Sequence, residues 1–191
     1  TTATINYFRY GQPNPERPVR CYWRSGGYTQ EDRVFLDSLQ GHDIETLRRA
    51  EGIDHLEFHL LNPYLQRITL VDTPGTQAVV DEHQDRAAEY LGLYRQLSER
   101  HEQETRKIDS SADAVIYLVG ATANITDLSF LEEFRHATQG QSRALNAIGV
   151  LAKIDLDPAI LQRRDELSAK IAGQLRNELN TVVPVSAGIE W

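Results

Sequence analysis

Ala114–Val119 reads Ala-Val-Ile-Tyr-Leu-Val without a polar break, and this run narrows the possible folds more than any other part of the chain. It does not alternate, so it suits a strand buried on both faces rather than a half-solvated ribbon. Strands of that kind belong to parallel sheets, whose crossover helices cover the two faces. The neighbouring segments alternate as such a fold requires. Leu128–Ala137 reads as a helix, Leu145–Leu151 as a strand, Pro158–Leu179 as a helix and Thr181–Val185 as a final strand. On the N-terminal side, Arg67–Val71 reads as a buried strand stopping at Asp72. Asp81–Lys107 reads as a long amphipathic helix, with Ala88, Leu91, Tyr94 and Leu97 at helical spacing and a break near Gly92.

Before these units the pattern differs. Thr2–Tyr10 and Val19–Arg24 are rich in β-branched and aromatic residues, and Gly11–Pro18 between them is full of turn formers, which predicts an antiparallel hairpin. Ile44–Ala50 reads as a short helix, and His55–Leu61 alternates up to the Asn62-Pro63 turn signal. The expected fold class is therefore α/β, with a mostly parallel central sheet.

The 191 residues, 40% hydrophobic and 25% charged, are enough for one ordinary domain with a sizeable core. A formal net charge of -8 and a pI near 5.2 argue against binding nucleic acid or anionic lipid by bulk electrostatics. The single cysteine, Cys21, has no partner for an intramolecular disulfide and reads as a packed strand residue. No apolar run approaches the roughly 20 residues of a membrane helix. The chain has no methionine and opens directly on a β-type run, which suggests a trimmed piece of a longer protein.

In open α/β sheets ligands bind beyond the carboxyl ends of the strands, so polar residues just after apolar runs are the first candidates for a site. Three runs end this way: Arg67–Val71 delivers Asp72, Leu145–Leu151 delivers Lys153 and Asp155, and Thr181–Val185 delivers Ser186. An aspartate there can reach Mg2+, and Gly75, three residues on, lets a backbone N–H approach a γ-phosphate. The Asp155 carboxylate can accept two hydrogen bonds from the guanine edge, and the Lys153 stem can lie along the base plane. Taken singly, Asp-Thr-Pro-Gly also reads as an ordinary turn, Lys-x-Asp as a solvated pair, and Ser186-Ala187 as a loop. Taken together, they land at strand ends in the order a nucleotide site requires.

With these residues in hand, the chain resembles the GTPase superfamily: Leu70–Gly75 (LVDTPG), Ala152–Asp155 (AKID) and Pro184–Ala187 (PVSA) look like its third, base-recognition and fifth motifs. Within that superfamily it is similar to dynamin-like proteins of the bacterial type. The opening TTATINYFRYG resembles the end of their switch I, and DTPGTQAVVDEHQ with the following helix resembles their switch II region. Small GTPases place DTPG soon after switch I, whereas the long interval from Thr2 to Asp72 agrees with the dynamin-like insertion.

The resemblance implies a P-loop GTPase-type three-layer sandwich, and it makes residues 1–191 a single partial GTPase domain with 24–66 as the family-type insertion. It implies GTP and Mg2+ as ligands. The nucleotide falls to Asp72, Gly75, Lys153, Asp155, Ser186 and Ala187, and the metal to Asp72 with Thr1 or Thr2. It further implies a homodimer through the GTPase domain, lipid contact through regions outside these residues, and a cytoplasmic location, peripheral to the inner face of a membrane.

Two departures stand out. Ala152 occupies the position of the family's Asn or Thr. No G-x-x-x-x-G-K-[ST] sequence occurs, and the Gly26-Gly27 pair is not followed by the needed lysine. The family's order puts that loop upstream of Thr1, with its catalytic side chain, so the chain alone is expected to bind GTP poorly and hydrolyse it hardly at all. Gln77 reads as a solvated loop residue. The histidines show no zinc-type spacing, Trp23 and Trp191 read as packing residues, and the mixed charges of Arg95–Lys107 read as a solvated or partner-docking helix face. Two competing readings are a GTPase of the ribosome-assembly or tRNA-modifying type, disfavoured by the acidic charge and long insertion, and a non-catalytic scaffold that keeps only the fold.

Overall fold

The computed structural model describes residues 4–40, 44–73, 96–97, 99–100, 103–104, 107–108, 112–120, 131–132, 146–175 and 178–186. The chain divides into two compact units, residues 1–105 and 106–191, and each carries its own sheet.

The first unit holds β1 (Asn6–Tyr10), β2 (Val19–Trp23), β3 (Tyr28–Glu31), helices α1 (Arg33–Asp37) and α2 (Ile44–Glu51), β4 (Ile53–Leu60) and β5 (Leu70–Asp72), in the sheet order β3-β2-β4-β1-β5. The expected hairpin between Thr2–Tyr10 and Val19–Arg24 does not form. Both strands exist, but β4 lies between them, antiparallel to β2 and parallel to β1. The physical reason lies in the two faces of β4. Its Leu56 and Phe58 sit opposite Cys21 and Val19 and join a core with Leu39 and Ile53. On the other face Glu57 forms an ion pair with Arg9 Nε at 3.0 Å and accepts from Arg20 NH1 at 3.3 Å. A direct β1–β2 pair would leave both guanidiniums without that carboxylate. Three prolines in residues 11–18, lacking N–H donors, also cannot extend a ladder.

The hairpin that does form joins β2 to β3. Gly26 (φ 96°) and Gly27 (φ 79°) turn it through the left-handed region that only glycine enters without strain.

The strand expected to be buried at Arg67–Val71 is shorter and shifted to Leu70–Asp72. It is an edge strand, antiparallel to β1, with Leu70 and Ile68 exposed. A short 3-10 turn at Pro63–Gln66, capped by the Asn62 side chain accepting from the Tyr64 N–H at 3.0 Å, takes up the chain just before it. Of the helix expected over Asp81–Lys107, residues 81–95, 98, 101–102 and 105–106 lie outside the described residues, and the described positions from 96 to 107 are helical.

The second unit is a parallel sheet in the order β6-β7-β8, formed by β6 (Val115–Val119), β7 (Ala147–Leu151) and β8 (Thr181–Pro184). Parallel crossovers are right-handed, so two that step the same way across a sheet pass over the same face. Accordingly Leu131 from the first connection and Ile171 and Leu175 from the second share one core with Val119, Leu151, Ile154 and Val182. On the other side of β6, Ile116 and Leu118 are 55% and 66% exposed. Gly149 on the central strand admits this packing closely, since a Cβ there would lie 2.9 Å from both Leu179 Cδ1 and Val182 Cγ2.

The helix expected over Pro158–Leu179 is two pieces, α3 (Pro158–Gln162) and α4 (Arg164–Gln174). Arg163 leaves helical geometry between them (φ -108°, ψ 14°), and its side chain is engaged by the Glu166 carboxylate through Nε and NH2. No helix among the described residues is long and apolar enough to cross a membrane.

Candidate functional site

In the second unit the candidates gather at the carboxyl end of the parallel sheet. β7 ends at Leu151, and the next residues alternate sharply in exposure: Ile154 is buried in the core, Lys153 is exposed and Asp155 is half-buried. Ile154 acts as the anchor that turns its two polar neighbours away from the core. The turn closes with the Leu156 N–H donating to the Lys153 carbonyl at 3.2 Å. Asp157 then caps α3, its carboxylate accepting from the Ala159 N–H at 2.8 Å. The adjacent strand β8 brings Ser186 to the same end, because the Val185 N–H donates to the Leu151 carbonyl at 2.9 Å.

Lys153 is the only non-glycine residue with positive φ (59°) among the described residues. A side chain in the left-handed region costs about 1–2 kcal/mol. Such strain is kept where the fold needs a side chain in one direction, and it marks a candidate site.

In the first unit Asp72 ends β5, facing Asn6 on β1. Its carboxylate is exposed, and Oδ2 accepts from Asn6 Nδ2 at 3.0 Å. Asn6 Oδ1 in turn accepts from the Thr4 hydroxyl at 3.1 Å. Thr4 and Asn6 were not among the sequence-level candidates. The signal available was an asparagine inside an otherwise β-forming run, which strands ordinarily avoid.

Lys153, Asp155 and Ser186 are thus brought together at one sheet end, and Asp72 stands at the end of a strand in the other unit. Thr1, Thr2, Gly75 and Ala187 lie outside the described residues, as do Gln77 and Trp191. Asp72 has the chemistry of a Mg2+ ligand: a hard, exposed carboxylate that forms no ion pair among the described residues. Mg2+ is ordinarily held by one or two carboxylates plus substrate phosphates and water, so a lone carboxylate suffices on the protein side. A half-buried carboxylate at Asp155 likewise fits a donor-rich base edge.

A family model described as "Dynamin family" matches residues 1–154. No curated protein matches the sequence. Two similar solved structures come from an oligomerised bacterial dynamin pair, described as providing a mechanism for the long-range sensing and tethering of membranes. They align with TM-scores of 0.56 at 17% and 18% identity, over 98% and 97% of this chain. The chain spans about a quarter of their length, 26% and 25%. At that identity the likeness establishes the fold, a mixed α/β architecture of the dynamin GTPase-domain type. With that fold, and with a family model running from β1 through the turn that carries Lys153, the chain belongs to the dynamin family.

Proposed function

We propose that the longer protein carrying this chain binds and hydrolyses GTP, with these residues supplying base recognition and part of the metal and γ-phosphate contacts. The observation that carries the reading is the turn after β7, where a strained Lys153 and a half-buried Asp155 flank a core-anchored Ile154. Asp155 accepts from the guanine N1–H and exocyclic amine, and the Lys153 stem covers the base plane. Ser186 and Ala187 close the base pocket from the neighbouring strand end. Asp72 and Thr1 or Thr2 hold Mg2+, and the Gly75 N–H meets the γ-phosphate. When bound, Mg2+ neutralises charge on the phosphate oxygens.

By this reading residues 1–191 form one partial GTPase domain, with 24–66 as an insertion, and the phosphate-binding loop comes from sequence preceding Thr1. Residues 1–191 alone then bind GTP weakly. Family membership supports nucleotide-dependent homodimerisation through this domain, membrane remodelling through regions outside it, and a cytoplasmic site at the inner membrane face. Ala152, where the family carries Asn or Thr, favours a second reading in which the fold is kept as a non-catalytic scaffold.

The test is Asp155→Asn in the full-length protein. The expected result is a shift of preference from GTP toward xanthosine triphosphate, because the amide reverses the donor pattern facing the base. Unchanged GTP preference overturns the assignment.

A further inference from the structure

The first unit holds two carboxylates in contrasting company. Glu57 is 8% exposed and is neutralised by two arginines, Arg9 and Arg20, with His59 Nε2 3.4 Å away. Asp72 meets no cation among the described residues. Among the described residues its one partner is a neutral amide, Asn6 Nδ2, on Oδ2, and Oδ1 takes no hydrogen bond.

The direction of the hydrogen bonds follows from chemistry. An ionised carboxylate only accepts, so Asn6 must turn its NH2 toward Asp72 and its carbonyl toward Thr4. The Thr4 hydroxyl is therefore the donor to Asn6 Oδ1. Both supporting residues are 5% exposed, whereas the carboxylate they hold is exposed. β1 is itself fixed on its other side, pairing with β4 from Asn6↔Leu56 onward, and the Leu56 N–H donates to the Ile5 carbonyl at 2.9 Å. The result is a buried, one-way chain, Thr4 to Asn6 to Asp72, that ends on a charge facing solvent.

We propose that Thr4 and Asn6 are positioning residues that hold the Asp72 carboxylate for a divalent cation. The proposal deepens the reading of Asp72 given above and rests on it. An amide suits this task better than a guanidinium would. It restrains the carboxylate through Oδ2 without cancelling its charge, and it leaves Oδ1 for the metal or for a water bound to the metal. Thr4 acts one step further back. Without its hydroxyl the Asn6 carbonyl loses its donor, and the amide is free to rotate so that its oxygen faces the carboxylate, where it repels. Outer partners of this kind typically account for about 10–100-fold in metal affinity or activity.

The test uses the full-length protein loaded with GDP, Mn2+ as the probe, and the electron paramagnetic resonance signal of free Mn2+ as the readout. Asn6→Ala is expected to weaken Mn2+ by about tenfold, at the low end of the range for outer partners. Thr4→Val, nearly isosteric, is expected to weaken it in the same direction, and Thr4→Ser to restore it. The double variant Thr4→Val/Asn6→Ala should be no worse than Asn6→Ala alone, because both act through one contact. If Asn6→Ala does not fold, the Thr4→Val and Thr4→Ser pair carries the test, since it changes little volume. Mn2+ affinity within twofold of wild type in Thr4→Val overturns the proposal. Asp72→Asn separates the two levels. If it weakens Mn2+ while Thr4→Val does not, only the positioning role fails. If it too leaves Mn2+ unchanged, the reading of Asp72 fails first.

Discussion

Replacing Glu57 by Gln removes a charge while keeping the side chain's volume, so no cavity complicates the outcome. The carboxylate is 8% exposed and serves Arg9 Nε at 3.0 Å and Arg20 NH1 at 3.3 Å. Gln retains one acceptor but turns an NH2 toward guanidinium donors. The two arginines are 49% and 37% exposed, so after the substitution both can rehydrate. The expected cost therefore lies between the ~0.2–1 kcal/mol of an exposed pair and the ~3–5 kcal/mol of breaking a buried one, at about 2 kcal/mol. At a urea dependence of about 2 kcal/mol/M this lowers the unfolding midpoint by about 1 M.

Trp23 fluorescence in a Trp191→Phe background is the assay, because Trp23 packs in the same unit, its Nε1–H donating to Thr29 Oγ1 at 2.8 Å. A double-mutant cycle with Arg9→Gln should show coupling of about 0.5 kcal/mol or more, as groups in direct contact do. A wild-type midpoint for Glu57→Gln, or strict additivity with Arg9→Gln, refutes the claim that this carboxylate holds β1, β2 and β4 together.

Two further outcomes follow from the geometry. Lys153→Gly relieves the left-handed strain of about 1–2 kcal/mol and incurs about 0.5–1 kcal/mol of glycine entropy, so thermal unfolding should show a small net stabilisation while GTP affinity of the full-length protein falls; a loss of stability contradicts the strain argument. Burial pushes the Cys21 thiol up to about 12, with the Glu31 charge adding to it, so the native protein should resist thiol-modifying reagents at pH 8 until it unfolds. The sign for stability is a loss as pH rises from about 9 toward about 12, since the unfolded thiol ionises first and the folded one holds its proton. Cys21→Ala should flatten that part of the alkaline stability profile, and an unchanged slope counts against it.

The strand ends that carry Lys153, Asp155 and Ser186 were legible because a local rule governs them: an apolar run that stops abruptly delivers its next polar residue to the sheet's carboxyl edge. The short helix at Ile44–Glu51 and the turn after Asn62 were legible for the same local reason. What the pattern did not contain was choice of partner. Thr2–Tyr10 and Val19–Arg24 each read as strands, yet whether they pair with one another depends on Glu57 and Leu56, far along the chain. The burial of β5 was misread because the apolar residues Ile68 and Leu70 look the same at a sheet's edge as at its centre. Thr4 and Asn6 escaped notice since their meaning appears only once Asp72 is known to lie across from Asn6.

The order β3-β2-β4-β1-β5 also has a consequence in time. Among the described residues β1 pairs with strands that follow it in sequence, β4 and β5. On the ribosome the first of these two emerges roughly 50 residues later, which at ~5–20 residues per second is on the order of 3–10 s. During that interval Tyr7, Phe8 and Tyr10 travel without β4 and β5, while β2 and β3 can close on each other within microseconds of leaving the tunnel. The sheet is thus assembled from its β3 side inward. The pairing of β1, the strand that supports Asp72, with β4 comes late, and a nascent-chain chaperone that shields Asn6–Tyr10 would act on the step that joins the two.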